Sequence, residues 1–230
     1  AEELVRDPVT QKPVTRWDGH TTKKSPVTGE DIPDENAQLP VYRYTNPRKA
    51  EWPKADYIVG NPPFIGSKRM RDVLGEGYTA ALRATFSDVA DGADFVLYWW
   101  HTAASKVERG ELTASGLITT NSITQSMNRK VVEARLTGNA HLQWAIPDHP
   151  WVDSASGAAV RIAMTVISRD TVEQPRLVKV SNERWAGQDE VEVELSERSV
   201  PVIHADLSGG AAVTSVRKLQ ANEGLTWVAF

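Results

Sequence analysis

A chain of 230 residues is long enough for one substantial domain with its own core, or for one domain plus an appendage, and an apolar share of 40% with a charged share of 24% excludes wholesale disorder and fibrous designs. Cysteine is absent, which excludes disulfide scaffolding, thiolate metal sites and a thiol nucleophile, and the five histidines never fall at metal-ligand spacing such as HExxH, so no metal is expected. The formal net charge of −4 gives no chain-wide footprint for a polyanion, so any contact with phosphates has to be local.

Residues 1–53 are rich in Pro, Thr, Asp and Lys and carry the near-repeat Asp7-Pro8-Val9-Thr10 and Ser25-Pro26-Val27-Thr28-Gly29. Such punctuation favours turns and short edge strands, so this stretch reads as an irregular arm with room for a hairpin. Its first residues, Ala1-Glu2-Glu3, lack the basic and apolar regions of a secretory signal, and no apolar run in the chain approaches the roughly 18 residues that cross a bilayer. A soluble cytoplasmic protein, without a membrane partner, is the expectation.

From Ala55 the texture changes. Tyr57-Ile58-Val59, stopped by Gly60, suits a buried strand, and the loop Asn61 to Gly66 follows it. Gly75-Glu76-Gly77 follows a basic polar stretch and reads as a turn. Helices are expected over about 78–89 and 94–109, the second with a thick apolar face from Phe95, Leu97, Tyr98, Trp99, Trp100, Ala103, Ala104 and Val107. Leu117 to Thr120 reads as a second buried strand, 127–136 as a helix ending before Gly138, and Leu142 to Ile146 as a third strand. Alternating strands and helices imply a parallel sheet with right-handed crossovers. Ala158 to Ser168, Leu177 to Val180 and Val191 to Leu195 follow as strands without helices, which implies antiparallel edges.

In an α/β sheet of this kind ligands collect beyond the carboxyl ends of the strands, where Asn61-Pro62-Pro63-Phe64 falls. Two consecutive prolines restrict their own φ angles and the residue before each, so the loop is rigid and poor in donors. Acceptors at fixed positions suit chemistry on an exocyclic amine, whose lone pair is delocalised into its ring and has to be drawn out. The Asn61 side-chain oxygen and the Pro62 carbonyl are the two acceptors, and Phe64 offers a flat face for a base extruded from a duplex. Read without context, the same four residues are a rigid turn.

Ala55-Asp56-Tyr57-Ile58-Val59-Gly60-Asn61-Pro62-Pro63-Phe64 resembles the catalytic region of class I adenine-N6 DNA methyltransferases. Tyr98-Trp99-Trp100, Thr120-Asn121-Ser122 and Ala158 to Thr165 are similar to the single-chain type IIG restriction–modification enzymes within that group. The resemblance implies a Rossmann-like class I fold, S-adenosyl-L-methionine as cofactor, and double-stranded DNA with a flipped adenine as partner. It implies that Asn61, Pro62, Pro63 and Phe64 are catalytic and that Phe95 and Trp99 approach the cofactor's adenine, although an aromatic stripe on a helix also serves as core. Trp151, stiffened by Pro150, falls where related enzymes present an aromatic to the flipped base; packing is the equal alternative. Lys68, Arg69 and Arg71 sit close behind the loop as candidate phosphate contacts or as a solvated basic face. Asn121 and Ser122 either line the site or cap the next turn.

The chain departs from the family in one respect: no Phe-x-Gly-x-Gly loop for the cofactor's methionine end precedes Asn61. The expected organisation is therefore an incomplete methyltransferase fold with an arm (1–53), a catalytic half (54–205) and the start of a connection to a target-recognition domain (206–230), with Leu219 to Leu225 as its lead-in. Upstream cofactor-binding and downstream recognition regions of the same protein are the implied partners, and the chain alone is expected to be inactive and not to bind the cofactor measurably. Two other functions stand beside this one. An N5-glutamine protein methyltransferase also uses an Asn-Pro-Pro loop, usually with Tyr in fourth place, and a degenerate methyltransferase domain would serve only as a structural or DNA-binding platform.

Overall fold

The computed structural model describes residues 1–136, 138–152, 159–170, 174–185 and 191–210. Ala158, the first residue of one expected strand, and the expected lead-in Leu219 to Leu225 lie outside the described residues.

The arm is more ordered than its composition suggests. Six three-residue strands nest as three antiparallel ladders: β1 (Glu2–Leu4) with β6 (Tyr42–Tyr44), β2 (Thr15–Trp17) with β5 (Gln38–Pro40), and β3 (Thr22–Lys24) with β4 (Asp31–Pro33). The near-repeat explains two of the turns. Asp7 Oδ1 accepts the N–H groups of Val9 and Thr10 (3.1 and 2.6 Å), and Ser25 Oγ accepts those of Val27 and Thr28 (3.3 and 3.2 Å), so the same side-chain closure is used twice.

The main sheet has six strands in the order β12-β11-β9-β10-β8-β7. These are β7 (Tyr57–Gly60), β8 (Ala114–Thr120), β9 (His141–Val152), β10 (Ala159–Ser168), β11 (Arg176–Trp185) and β12 (Val191–Ser199). β7 and β8 are parallel neighbours, as the alternating pattern requires, but β9 is not next to β8. β10 is inserted between them, antiparallel to both. The expectation of a parallel sheet with antiparallel strands only at its edges is thus corrected to a mixed sheet in which an antiparallel strand, β10, sits inside. β11 pairs parallel with β9 through Arg176 and Leu177, and only β12 is an antiparallel edge of the expected kind.

β9 runs six residues past the expected end at Ile146, through Pro147 and Pro150. Its register with β10 shifts between Ile162 and Met164, and Pro147 sits at that irregularity, where a missing N–H is tolerated. The exposed outer strand β12 carries Glu192, Glu194 and Glu197, charges that discourage another chain from adding to that edge.

The helices are α1 (Met70–Leu74), α2 (Glu76–Thr85), α3 (Val96–Glu108) and α4 (Ser126–Arg135). α3 packs on β8, β10 and α4, and its expected apolar face is buried except for half-buried Trp99. Trp100 Nε1 donates to Thr165 Oγ1 at 3.0 Å inside this core, tying the helix to β10. No described helix is long and apolar enough to cross a membrane.

Gly75-Glu76-Gly77 is only partly a turn. Gly75 joins α1 to α2 at φ +85°, a conformation other residues seldom adopt, whereas Gly77 lies within the first turn of α2. A Cβ at Gly77 would overlap the Tyr42 carbonyl of β6, so the absence of a side chain is what lets α2 dock on the arm. Tyr44 and Tyr78 complete that contact edge to face at 5.8 Å. Gly77→Ala is expected to destabilise the protein by about 1–3 kcal/mol, because backbone on both sides leaves the new methyl nowhere to go. A urea midpoint unchanged from wild type would show that the arm yields instead.

Candidate active site

The loop Asn61-Pro62-Pro63-Phe64 leaves the sheet at the carboxyl end of β7. Gly60 is paired with Leu117 of the parallel neighbour β8, which continues to Thr120 before the short 3-10 turn Asn121–Thr124. The two connections therefore emerge side by side. β10 begins at the same edge, with Ile162 opposite Thr120, and β9 ends there, with Trp151 opposite Val160. The sequence pattern places Asn61 at a strand end, and pairing in the sheet brings the loop that it opens to the same end of the sheet as Asn121 and Arg161.

Pro62 is buried and Phe64 half-buried against the core, while Asn61 is exposed. Among the described residues neither the Asn61 side chain nor the Pro62 carbonyl has a hydrogen-bond partner. Two acceptors are thus presented on a rigid loop. Where the loop ends it adjoins an open cavity of about 430 Å³, lined by Phe64, Ile65, Asp94, Asn121, Ser122 and Arg161 among others.

Asp94, just before α3, holds this cavity together. Its Oδ1 accepts the Ser67 N–H (2.9 Å), and its Oδ2 accepts Ser122 Oγ and Asn128 Nδ2 (both 2.7 Å). Its own N–H donates to Asn128 Oδ1 (2.8 Å), and the next N–H, of Phe95, donates to the Ile65 carbonyl (2.9 Å). At the rim, Arg161 donates to both oxygens of Asp148 (2.7 and 2.8 Å) and to Glu183 (2.7 Å). Asn121 Nδ2 donates to Asp148 as well (3.1 Å). The Arg161 guanidinium holds the Asp148 carboxyl below its ordinary range, and Asp148 in turn holds Arg161 protonated. Asn121 and Ser122 line this cavity and open the 3-10 turn, in which neither makes a side-chain cap bond; Ser122 Oγ donates to Asp94 instead.

Phe95 and Trp99 face a different space. Their rings meet edge to face at 4.4 Å, and they line a second cavity of about 330 Å³ with Tyr44, Trp52, Tyr78 and Tyr98. Tyr44 and Trp52 come from the arm and the segment behind it, a contribution that no local pattern announces. Trp151 is 36% exposed, at the same end of the sheet as Asn121. Lys68 and Arg69, in the 3-10 turn Ser67–Arg69, and Arg71 of α1 are exposed and have no partner among the described residues. No cluster of metal-ligating side chains occurs among the described residues.

The protein is thus of the α/β class, with a mixed sheet, a rigid acceptor loop at the carboxyl end of one strand and a cavity beside the end of its parallel neighbour. The chain belongs to the MmeI DNA-methyltransferase domain family, whose model matches residues 16–179. Among solved structures it is similar to the type IIL restriction–modification enzyme MmeI in complex with DNA, with a TM-score of 0.54 and 23% identity over 68% of this chain and 20% of that one. At that identity the likeness is one of fold, and the chain spans about a fifth of the length of that enzyme. No curated protein matches the chain.

The sequence pattern singled out neither Asp94 nor Asp148. A lone Asp before an apolar helix looks like an ordinary helix start, and only the packing of four separate segments reveals what Asp94 joins.

Proposed function

We propose that this chain is the base-gripping part of an adenine-N6 DNA methyltransferase that uses S-adenosyl-L-methionine and belongs to a restriction–modification enzyme. The observation that carries the reading is the pair of free acceptors, Asn61 Oδ1 and the Pro62 carbonyl, on a rigid loop beside a cavity walled by Phe64. Phe64 would lie against an extruded adenine, and the two acceptors would take the two protons of its N6 amine. Holding both protons draws the lone pair out of conjugation and towards the incoming methyl, and stabilises the charge that develops on nitrogen. The rim of the cavity carries Asp148 and Glu183 against Arg161, a balance that suits a neutral base better than a phosphate.

The cofactor, when bound, supplies an electrophilic methyl on sulfonium sulfur. Its purine end would lie in the second cavity, where Phe95, Trp99, Tyr44 and Trp52 offer aromatic walls. Nothing in this chain matches a loop for its methionine end. Lys68, Arg69 and Arg71 would meet phosphates flanking the extruded nucleotide. Membership in a DNA-methyltransferase family favours this reading over glutamine methylation.

The test is transfer of a labelled methyl group by the complete protein to duplex DNA and, separately, to a glutamine-bearing release-factor peptide, followed by digestion to nucleosides. Label in N6-methyladenine supports the reading; label in cytosine or in the peptide overturns it. A second expectation concerns Trp151. Trp151→Ala should weaken binding to duplexes with a mismatched target base about tenfold, since stacking on an extruded base contributes about 1–3 kcal/mol, while thermal stability stays within a degree or two of wild type. Loss of stability without loss of binding would assign the ring to packing.

A further inference from the structure

Both walls of the cavity beside Phe64 are tied to one carboxylate. On one side, Asp94 Oδ1 accepts the Ser67 N–H while the adjacent Phe95 N–H donates to the Ile65 carbonyl, so the exit of the loop is gripped at two points two residues apart. On the other, Asp94 Oδ2 takes Ser122 Oγ and Asn128 Nδ2, and Asn128 Nδ2 also donates to the Ser122 carbonyl (3.0 Å), which fixes the turn after β8. We propose that Asp94 is a positioning residue for methyl transfer, setting the gap between the loop of Asn61 and Phe64 and the facing turn at Ser122. The proposal rests on the reading of that loop as the base-gripping element.

Three observations favour this role. Both Asp94 oxygens accept hydrogen bonds, Oδ1 from one donor and Oδ2 from two, so the carboxylate is engaged in joining three segments of the chain to its own. Its bonds are short and charge-assisted, which makes them stiffer than the neutral contacts around them. Asp94 lines the cavity of Phe64, and the next residue, Phe95, lines the cavity of Trp99, so the two spaces share this segment as a wall. A shift of the segment moves both walls together. Chemistry between two bound groups is sensitive to such a shift, since a displacement of about 1 Å can cost around a hundredfold in rate.

In the complete protein, Asp94→Ala is expected to lower kcat for methyl transfer roughly tenfold or more, with KM for DNA within about threefold of wild type, a split that marks misplacement and not lost binding. Asp94→Asn keeps an acceptor for the Ser67 N–H but turns an amide against Asn128, and should recover part of the rate. Ser122→Ala, which cuts only the tie to the turn, should fall between wild type and Asp94→Ala. Amide exchange at Ser67 reads the clamp without any turnover and should accelerate in Asp94→Ala. Unchanged exchange at Ser67 overturns the clamp. Accelerated exchange with an unchanged kcat in folded variants overturns the positioning role, as does a rate loss that follows only the unfolded fraction and is not recovered by Asn. A wild-type protein that protects Ser67 but transfers no methyl to adenine overturns the loop reading, and the positioning role with it.

Discussion

Asn61→Ala in the complete protein is expected to lower methyl transfer by about a hundredfold or more while leaving DNA affinity nearly unchanged. The Asn61 side chain is exposed and has no partner among the described residues, so its removal costs the fold almost nothing. Its oxygen has no neighbour to satisfy until an amine proton arrives. The interaction gains strength as charge develops on the nitrogen, and loss of one such aligned group typically costs about 10²–10³ in rate. Binding of the duplex, by contrast, draws mostly on phosphate contacts that this substitution leaves alone. Single-turnover rates and filter-binding affinities measured on the same preparation separate the two effects. Turnover within threefold of wild type would remove Asn61 from the chemistry.

Trp100→Ala is expected to be the most damaging substitution for the fold, at about 3–5 kcal/mol, a large part of the roughly 5–15 kcal/mol that holds a domain together. Trp100 is 1% exposed at the contact of α3 with the sheet, and its Nε1 is the partner of Thr165 Oγ1, on a residue that is 2% exposed. Truncation leaves a cavity under the helix and deprives a buried hydroxyl of its donor, two costs that add. Trp100→Phe, which keeps one six-membered aromatic ring but loses the N–H and the rest of the indole, should recover part of the loss. Urea unfolding with an unchanged slope is the measurement; a shift below 1 kcal/mol for the Ala variant would mean that the site collapses around the gap.

The arm shows where local reading of the sequence stops short. Pro and Gly punctuation marks Asp7 to Thr10 and Ser25 to Thr28 as turns, because those side chains close their own backbone, and that closure is local chemistry. That the arm then docks on α2 through Tyr44 and Gly77, and helps to wall the cavity of Phe95 and Trp99, depends on which surfaces meet.

The same division runs through the sheet and the site. Short-range patterns carry the strand at Tyr57, the apolar helix around Trp100 and the rigidity of Asn61 to Phe64, since each rests on periodicity or on proline geometry within a few residues. Strand order does not, because β10 reads equally well as an edge or as an interior strand until its two antiparallel partners are chosen. Pairing across the sheet puts Asn121 and Arg161 beside a loop far from them in sequence, and packing of α3 and α4 against that edge hangs both walls on Asp94. The amino-acid sequence by itself thus determined the rigidity of the loop and its wealth of acceptors, through residues that act on their immediate neighbours. The tertiary structure alone decided the cavity beside that loop and what holds it open, because those contacts join segments that only the folded chain brings within hydrogen-bonding distance.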